Sequence, residues 1–223
     1  MGKEFTMKKN ILVFGANSFI AKAFIDKYSD SYIIHPVYRN DPKKLLNFDF
    51  AGNDDCNAFS KKINFAIDSI IFFQGLNPSM SVDQITEDHF IKMFKINLIT
   101  PTLLLQSLKE KLAKDAVMIF FSSIAKKKGS YDPSYAAAKS GIVGLMHSLA
   151  NAYQMQRFNI LSLGLVKNSP VFNQMTDDFK RSHAARMQNG NFIKAENVVS
   201  AIDMVIKNDN INRADISIDA GFL

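Results

Sequence analysis

Three features typical of secreted or membrane-spanning proteins are missing from this sequence. Its single cysteine, Cys56, excludes an internal disulfide and a cysteine-rich zinc site. No segment supplies the ~18 consecutive apolar residues of a membrane span, and the longest charge-free run, residues 140–156, contains serine, asparagine, glutamine and histidine. The lysines near the N-terminus precede no clean apolar run, so we expect no secretion signal. We predict a soluble, cytoplasmic protein with no membrane partner and no metal site.

The positive charge of the chain is scattered along it. Lysine and arginine number 27 against 21 aspartates and glutamates, which gives a net charge of +6. The only basic run is Lys126–Lys128, and no nucleic-acid-binding motif accompanies it. The 223 residues, 47% of them hydrophobic, suit one globular domain. We therefore expect a single domain over residues 8–223, preceded by a leader or tag at residues 1–7, and no nucleic-acid partner.

Short apolar runs alternate with helical patterns along the whole chain. The pattern predicts strands at residues 10–14, 32–38, 45–50, 69–73, 117–121, 158–165 and 216–218. It predicts helices at residues 19–28, 57–66, 86–114, 134–156 and 196–207. Strands rich in Ile, Val, Leu and Phe indicate a parallel sheet that is covered on both faces. We predict a single-domain, doubly wound α/β fold of about seven strands, with ligands at their carboxyl ends.

The first predicted strand runs into a helix through a turn of small residues. Gly15 is the only glycine in it, and Ser18 and Ala21 stand where a Gly-x-x-Gly-x-x-Gly turn would place its second and third glycines. Such a turn lets backbone N–H groups and the helix dipole meet a pyrophosphate. An ordinary strand-to-helix turn has the same pattern, so both interpretations stay open.

The second predicted strand ends at Tyr38, where a dinucleotide-binding fold places the adenosine ribose. An acidic residue there selects NAD, but here Arg39 follows, and a guanidinium suits a 2′-phosphate. The sequence is explained equally well if Arg39 is an arginine in a surface turn that binds no ligand. Asp49, at the end of the third predicted strand, could accept from the adenine amino group or serve as a cap or turn residue.

Tyr135 and Lys139 lie four residues apart in a predicted helix and therefore on one face of it. A nearby ammonium favours phenolate, so we predict a tyrosine pKa lowered from about 10 towards neutrality. A phenol of that kind can donate a proton to a developing alkoxide. Ser123 ends a buried strand twelve residues earlier and could donate to a substrate carbonyl. The placement, rather than the common Tyr/Lys spacing alone, indicates an active site.

From Lys8 to Phe222, the order and spacing of these residues resemble the short-chain dehydrogenase/reductase superfamily. The resemblance rests on the Gly15 turn, Asp49, Gly75, Asn97, Ser123, the Tyr135/Lys139 pair and the ending Asp219–Phe222. It implies a Rossmann-type fold and an NAD(P)-dependent oxidoreductase that interconverts a carbonyl and a secondary alcohol. It also implies a homodimer or homotetramer, paired through helices near residues 90–112 and 134–156.

The resemblance implies a role for each member of a catalytic tetrad. Tyr135 would protonate the carbonyl oxygen, and Ser123, rather than Ser122, would orient and polarise it. Lys139 would lower the tyrosine pKa and hold the nicotinamide ribose. Asn97 would distort its helix and bind a water that relays protons to Lys139, and the alternative for Asn97 taken alone is a buried amide at a helix kink.

The resemblance implies a nicotinamide dinucleotide as the cofactor, and Arg39 together with the missing acidic residue favours NADP, with NAD not excluded. The residues expected to bind it are Gly15, Asn17, Ser18, Phe19, Ile20, Arg39, Asp49, Phe50, Gly75, Tyr135, Lys139 and Val166. Three departures from the family pattern stand out. The side chain of Ser18 leaves a phosphate less room to approach the backbone than a glycine would. Phe73 stands before Gln74-Gly75 where the family usually has an asparagine. Leu163 replaces the proline that usually precedes Gly164.

Residues 166–193 fit the superfamily's mobile substrate loop. They carry several basic side chains, including Arg181, His183 and Arg186, and Lys126–Lys128 could flank the same pocket. We expect a small-molecule carbonyl or alcohol substrate, and these groups would steer one that carries negative charge. A solvated run of lysines is the alternative interpretation of Lys126–Lys128. Two alternatives stay open, namely a non-catalytic dinucleotide-binding regulatory protein and a sugar-nucleotide-modifying enzyme that uses the same tetrad.

Overall fold

The computed structural model describes residues 7–76 and 80–222, and the predicted leader lies outside them except for Met7. Six parallel strands form one sheet in the order β2-β1-β3-β4-β5-β6. The strands are β1 (Asn10–Phe14), β2 (Ile33–Val37), β3 (Ile67–Phe72), β4 (Leu112–Ser123), β5 (Arg157–Leu163) and β6 (Asp215–Ile218). The strand order reverses between β1 and β3, and this confirms the predicted doubly wound fold.

Helices cover both faces of the sheet. They are α1 (Phe19–Tyr28), α2 (Cys56–Lys61), α3 (Glu87–Phe94), a π-helical turn (Lys95–Ile99), α4 (Thr100–Leu108), a 3-10 turn (Lys109–Lys111), α5 (Ala125–Lys128), α6 (Pro133–Ala152), α7 (Pro170–Gln174), α8 (Asp177–Ala184) and α9 (Ala195–Lys207). None of the helices in the described part of the chain combines the length and apolar character that crossing a bilayer requires.

Successive side chains along each strand point to opposite faces of the sheet, and this divides the core into two layers. Phe72 of β3 packs with α2, α4 and α6, whereas its neighbour Ile71 packs with α1 and α9. The same alternation continues in β4, where Phe120 belongs to the first layer and Ile119 to the second. The near-continuous apolar strands are therefore buried on both faces, as the sequence predicted.

Two predicted elements are wrong. Residues 45–50 form no strand, and their only ladder contact is a single bridge between Tyr38 and Asn47. Phe48 and Phe50 are instead buried as loop residues against Phe14, which explains both their apolar pattern and the six strands in place of about seven.

The predicted helix over residues 86–114 is interrupted. The π-helical turn at Lys95–Ile99 separates α3 from α4, and Leu112 already begins β4. Pro101 has no N–H to donate to the carbonyl four residues before it, so a regular α-helical pattern cannot continue through this point. The helix accommodates the missing bond with a wider turn.

Candidate active site

A cavity of about 720 Å³ opens at the carboxyl edge of the central strands. Its wall contains many of the residues that were predicted for the site, namely Asn17, Ser18, Phe19, Ile20, Gly75, Ser123, Tyr135, Lys139 and Val166. The loops after β1, β3, β4 and β5 therefore converge as expected for a parallel sheet.

The turn after β1 requires glycine at its first position. Gly15 has φ +73°, and a Cβ there would lie 2.8 Å from the backbone nitrogen of Gln74. Ser18 caps α1, because its side chain accepts from the backbone N–H of Ala21 at 3.3 Å. The turn thus places the N-terminus of α1 in the cavity wall, where unpaired N–H groups and the helix dipole favour an anion.

The predicted adenosine-binding residues lie outside the cavity wall. Arg39 is exposed directly after β2, and its neighbour Asn40 donates to Asp49 Oδ2 at 3.4 Å. Asp49 belongs to a loop rather than to a strand end, and its Oδ1 accepts from the N–H of Ala51 at 3.0 Å, as a turn residue does. Phe50 is a core residue whose ring centroid lies 5.3 Å from that of Phe14. The structure therefore places Asn40, the residue after Arg39, against Asp49 and uses the Phe50 side chain for packing.

Ser123, Tyr135 and Lys139 meet at the centre of the cavity. Ser123 is the last residue of β4, and its side chain is hydrogen-bonded to Tyr135. Lys139 follows Tyr135 by one turn of α6, and its Nζ lies 5.8 Å from the centroid of the tyrosine ring. A hydroxyl, a phenol and an amine thus share one wall, which is the arrangement that the sequence spacing predicted.

Sequence reasoning missed the cap that orients α6. Asp132 is fully buried, and its Oδ1 accepts from Ser134 Oγ at 2.6 Å and from the Tyr135 N–H at 3.1 Å. Its Oδ2 lies 2.7 Å from His89 Nε2. Burial raises the pKa of the Asp132 carboxyl, but the hydrogen bonds from Ser134 and His89 outweigh it and hold the pKa below its usual value. The Asp-Pro pair at residues 132–133 is the sequence signal for this cap.

Lys139 is held in place by two buried hydrogen bonds to β4. Its Nζ donates to the carbonyl of Phe121 at 2.9 Å, and its own carbonyl accepts from Ser122 Oγ at 2.8 Å. Burial lowers the pKa of Lys139 to about 8. Because Ser122 is used in this link, Ser123 is the serine that faces the phenol.

The predicted acidification of Tyr135 is wrong for this structure. Burial raises the pKa of the phenol, and the hydrogen bond with Ser123 only partly opposes that effect. The ammonium of Lys139 donates to a backbone carbonyl and lies over the ring, so it does not offset the burial. Tyr135 is therefore protonated at neutral pH and suited to donating a proton.

Asn97 does not line the cavity. It is buried in the π-helical turn, and its Nδ2 donates to the carbonyl of Met93 at 2.8 Å. The turn packs beside α6, with Leu98 against Gly141. The helix distortion that the resemblance implied is present, and in this structure the amide serves the distorted backbone.

The predicted substrate segment, residues 166–193, forms α7 and α8 and closes one side of the cavity. His183 of α8 lines it, and its Nε2 is buried with no hydrogen-bond partner among the described residues. Of the three lysines expected to flank the pocket, Lys128 alone belongs to the wall. Lys126 points to the sheet edge, where it donates to Ser162 Oγ at 2.6 Å and pairs with Asp215.

A model of a protein family matches residues 33–223, and its description is "Enoyl-(Acyl carrier protein) reductase". The chain belongs to the short-chain dehydrogenase/reductase superfamily. No curated protein matches the sequence significantly.

Solved structures of superfamily members share the fold across nearly the whole chain. A dehydrogenase of the glucose/ribitol type from Brucella melitensis has a TM-score of 0.85 at 16% identity, over 96% of this chain and 98% of its own. A blue fluorescent protein from a metagenomic library, solved with NADPH, has a TM-score of 0.85 at 16% identity, over 96% and 97%. A 4-hydroxyisoleucine dehydrogenase, solved with NADH, has a TM-score of 0.82 at 19% identity, over 96% and 98%.

The departures from the superfamily pattern give the cavity an apolar floor. Phe73, at the position of the expected asparagine, stacks on Phe121 of β4 with ring centroids 4.8 Å apart, and both rings line the cavity. The next residue, Gln74, keeps a buried Oε1 without a hydrogen-bond partner among the described residues. Ring stacking therefore joins the segment after β3 to β4 at this position.

Proposed function

We propose that this protein is an NADP-preferring oxidoreductase that interconverts a carbonyl and a secondary alcohol. The observation that carries the proposal is the convergence of Ser123, Tyr135 and Lys139 in a cavity that also includes the N-terminus of α1. Proton-handling groups and an anion-favouring helix end in one cavity fit a reaction between a small molecule and a dinucleotide.

The residues at the turn after β1 fit a dinucleotide. The conformation of Gly15 leaves no space for a Cβ, and the α1 N-terminus offers N–H groups to a pyrophosphate. We propose that Arg39 binds the 2′-phosphate and that Asp49 lies at the adenine, next to Asn40. Solved superfamily members with NADPH or NADH support this assignment. When bound, the nicotinamide cofactor supplies or accepts the hydride.

Tyr135 is the proposed general acid. Its raised pKa keeps the phenol protonated at neutral pH, so it donates its proton to the carbonyl oxygen of the substrate during reduction. The Ser123 hydroxyl, already hydrogen-bonded to Tyr135, orients the same oxygen and polarises the carbonyl. The apolar floor of Phe73 and Phe121 excludes water beneath the reacting carbon.

Lys139 is proposed to stabilise the negative charge that forms on Tyr135, and Asn97 is proposed to take part in a proton relay to Lys139. With a pKa of about 8, the Lys139 ammonium is charged at neutral pH and stabilises the phenolate that forms when Tyr135 gives up its proton. It is also proposed to hold the nicotinamide ribose hydroxyls. A water between the π-helical turn and Lys139 would complete the relay that the resemblance implies for Asn97.

Four further predictions accompany the proposed activity. They are a single catalytic domain over residues 8–223, a small-molecule substrate, a homo-oligomer paired through α4 and α6, and a cytoplasmic location.

The first experiment separates binding from turnover. NADPH binding is titrated by nicotinamide fluorescence, and the protein is then assayed with ketones, secondary alcohols, a nucleotide sugar and an enoyl thioester. The thioester is included because the matching family model bears the name of an enoyl reductase. We expect carbonyl reduction, which Tyr135→Phe abolishes without loss of NADPH binding. The matched control is Tyr153→Phe, at the end of the same helix and outside the cavity.

The other outcomes contradict the proposal in distinct ways. Binding of NADPH without turnover of any compound would favour a regulatory protein. A converted nucleotide sugar with unchanged NADPH would indicate the sugar-nucleotide enzyme, and reduction of the thioester alone would move the reaction to a carbon–carbon double bond.

A further inference from the structure

A second polar cluster contacts the same cavity at its substrate segment. It comprises His183 of α8, Lys128 of α5, Arg186 just after α8, and the ring of Phe222. The His183 ring centroid lies 4.4 Å from that of Phe222, the Arg186 Cζ lies 4.4 Å from the same centroid, and Lys128 Nζ lies 5.8 Å from it. We call these four residues the basic cluster.

Among the members of the basic cluster, His183 has a buried ring nitrogen that lacks a hydrogen-bond partner among the described residues. Its side chain is packed among rings, with Phe179 and Phe192 on α8 and the following loop in addition to Phe222. The residue is only 8% exposed, yet its Nε2 has no hydrogen-bond partner among the described residues. A histidine that served packing alone would gain by pairing this nitrogen or by replacement with an apolar ring. An unpaired polar atom in a cavity wall indicates a ligand group that completes it.

The charges around His183 favour an anion. Burial, and then the charges of Lys128 and Arg186, lower the pKa of His183 to about 4, so its ring is neutral at pH 7 and can donate from Nε2. Partial desolvation and the charge of Arg186 also lower the pKa of Lys128, an exposed residue at the cavity wall that has no acidic partner among the described residues. Cations that lower each other's affinity for protons create a positive potential that an incoming anion relieves.

The position of the basic cluster assigns it to the substrate rather than to the adenosine end. Lys128 lies in the segment that joins Ser123 to Tyr135, and both Lys128 and His183 line the cavity that contains these two residues. Arg39, the residue proposed for the 2′-phosphate, lies outside that wall.

We propose that the substrate is an oxo or hydroxy acid whose carboxylate binds between Lys128 and His183. The proposal rests on the proposed reductase activity and names the substrate class of that site. Lys128 gives a charge-assisted hydrogen bond to one carboxylate oxygen, and His183 donates from Nε2 to the other. Arg186 adds charge from behind the Phe222 ring. A small acid is appropriate because the 720 Å³ of the cavity must also admit the nicotinamide end of the cofactor.

The test compares acids with their neutral counterparts. A series of methyl ketones from 3-oxobutanoate to 6-oxoheptanoate is assayed beside ketones of the same length without the carboxylate. Lys128→Met and His183→Phe are expected to lower kcat/KM for the preferred acid by about 10–100-fold each, since a charge-assisted hydrogen bond is lost. The ratio of kcat/KM for acids to kcat/KM for neutral ketones is therefore expected to fall in both variants. The controls are Lys127→Met, which removes the neighbouring exposed charge, and His147→Phe, which alters an exposed histidine on α6.

Binding without turnover keeps this test separate from the proposed function. The ¹⁵N shifts of the four histidine side chains are followed by NMR while each oxo acid is added, with and without NADPH. A shift at His183 alone, lost in Lys128→Met, supports the carboxylate site even if no compound is reduced, in which case only the reductase proposal fails. Equal kcat/KM for acids and neutral ketones, or an oxo-acid series that leaves His183 unperturbed, overturns the carboxylate site and leaves the reductase proposal standing.

Discussion

The two sides of the cavity are built differently. The proton-transfer side stands on β4 and α6, where buried hydrogen bonds tie Ser122 to Lys139 and Asp132 to the first turn of α6. The proposed substrate side is formed by short helices in residues 166–193, and the Nε2 of its buried His183 has no hydrogen-bond partner in the part of the chain that the structure describes. On the proposed proton-transfer side, the side chains of Ser122 and Asp132 are thus hydrogen-bonded within the protein, whereas on the proposed substrate side the His183 Nε2, without a partner among the described residues, is open to a ligand.

This contrast has an energetic meaning. Each buried hydrogen bond on the proton-transfer side contributes about 1 kcal/mol, whereas an unsatisfied buried polar group costs about 1–3 kcal/mol. The first side therefore stabilises the fold while it positions Tyr135. The second side lowers stability in exchange for ligand recognition. Variants on the two sides should accordingly change activity and stability in different combinations.

The largest expected effect is on the proton-transfer side. Lys139→Met removes the ammonium but leaves an unbranched apolar side chain in the buried position, so we expect turnover to fall by about 10²–10⁴-fold, with a loss of about 1 kcal/mol of stability for the hydrogen bond to the Phe121 carbonyl. In the wild type, kcat/KM for reduction should decline above about pH 8, because Lys139 then loses the proton whose charge stabilises the phenolate. Residual activity of Lys139→Met should lack this decline. A decline near pH 8 that persists in the variant would assign it to another group.

On the substrate side, the lowered pKa of His183 should make the free energy of unfolding depend on pH. The folded-state pKa of His183, about 4, lies below its ordinary 6.5, so the unfolded chain binds a proton between these values that the folded chain does not. Stability is therefore lost as pH falls from about 6.5 to 4, on the order of 3 kcal/mol.

His183→Phe isolates this loss, because the variant cannot take up the proton. Urea unfolding of both proteins at several pH values should show their free energies of unfolding diverging towards pH 4, with the variant the more stable. Parallel curves would mean that His183 is not held neutral by burial and its basic neighbours.

The third effect concerns the adenosine end, which lies outside both sides. Arg39→Asp should weaken NADPH relative to NADH by about 10–100-fold, because a charge-assisted phosphate contact is replaced by repulsion. Dissociation constants for both dinucleotides measure the ratio. Lys43→Asp, an exposed cation in the same loop, is the control. If Lys43→Asp changed the ratio of the two dissociation constants equally, Arg39 would act only through the net charge of the loop.

The smallest effect contrasts two glycines. Gly15→Ala must adopt φ +73° with its Cβ 2.8 Å from a backbone atom, so it should lower the free energy of unfolding by about 1–3 kcal/mol. Gly144→Ala, in α6 with open space around it, should instead raise it by about 0.5–1 kcal/mol. Chemical denaturation measures both. If Gly15→Ala left the free energy of unfolding unchanged or raised it, the turn after β1 would not need its glycine.

The sequence predicts best where local signals agree with tertiary structure. The bounds of β1 and α1 match the prediction, because Gly15 ends the apolar run and Ser18 caps the helix. Residues 45–50 have the alternating apolar pattern of a strand, but only the aromatic core around Phe14 decides that they pack as a loop. Helical periodicity continues through residues 95–99, and although Pro101 is visible in the sequence, the pattern does not reveal that a π-helical turn accommodates its missing N–H.

The same limit applies to the site. Spacing alone places Tyr135 and Lys139 on one face of α6, and the end of a strand places Ser123 beside them. Spacing does not reveal burial, so the sequence predicted the wrong direction for the tyrosine pKa. Nor does it reveal the meeting of Lys128 with His183, which lie far apart along the chain and are joined only by the packing of residues 166–193.

One measurement tests most directly whether Tyr135 transfers the proton. Tyr135→Phe and wild type are saturated with NADPH and mixed rapidly with the best carbonyl substrate, and hydride transfer is followed as the loss of reduced-nicotinamide absorbance in a single turnover. We expect a rate about 10²–10⁴-fold lower in the variant, with an unchanged dissociation constant for NADPH. Equal single-turnover rates would show that the proton comes from another group.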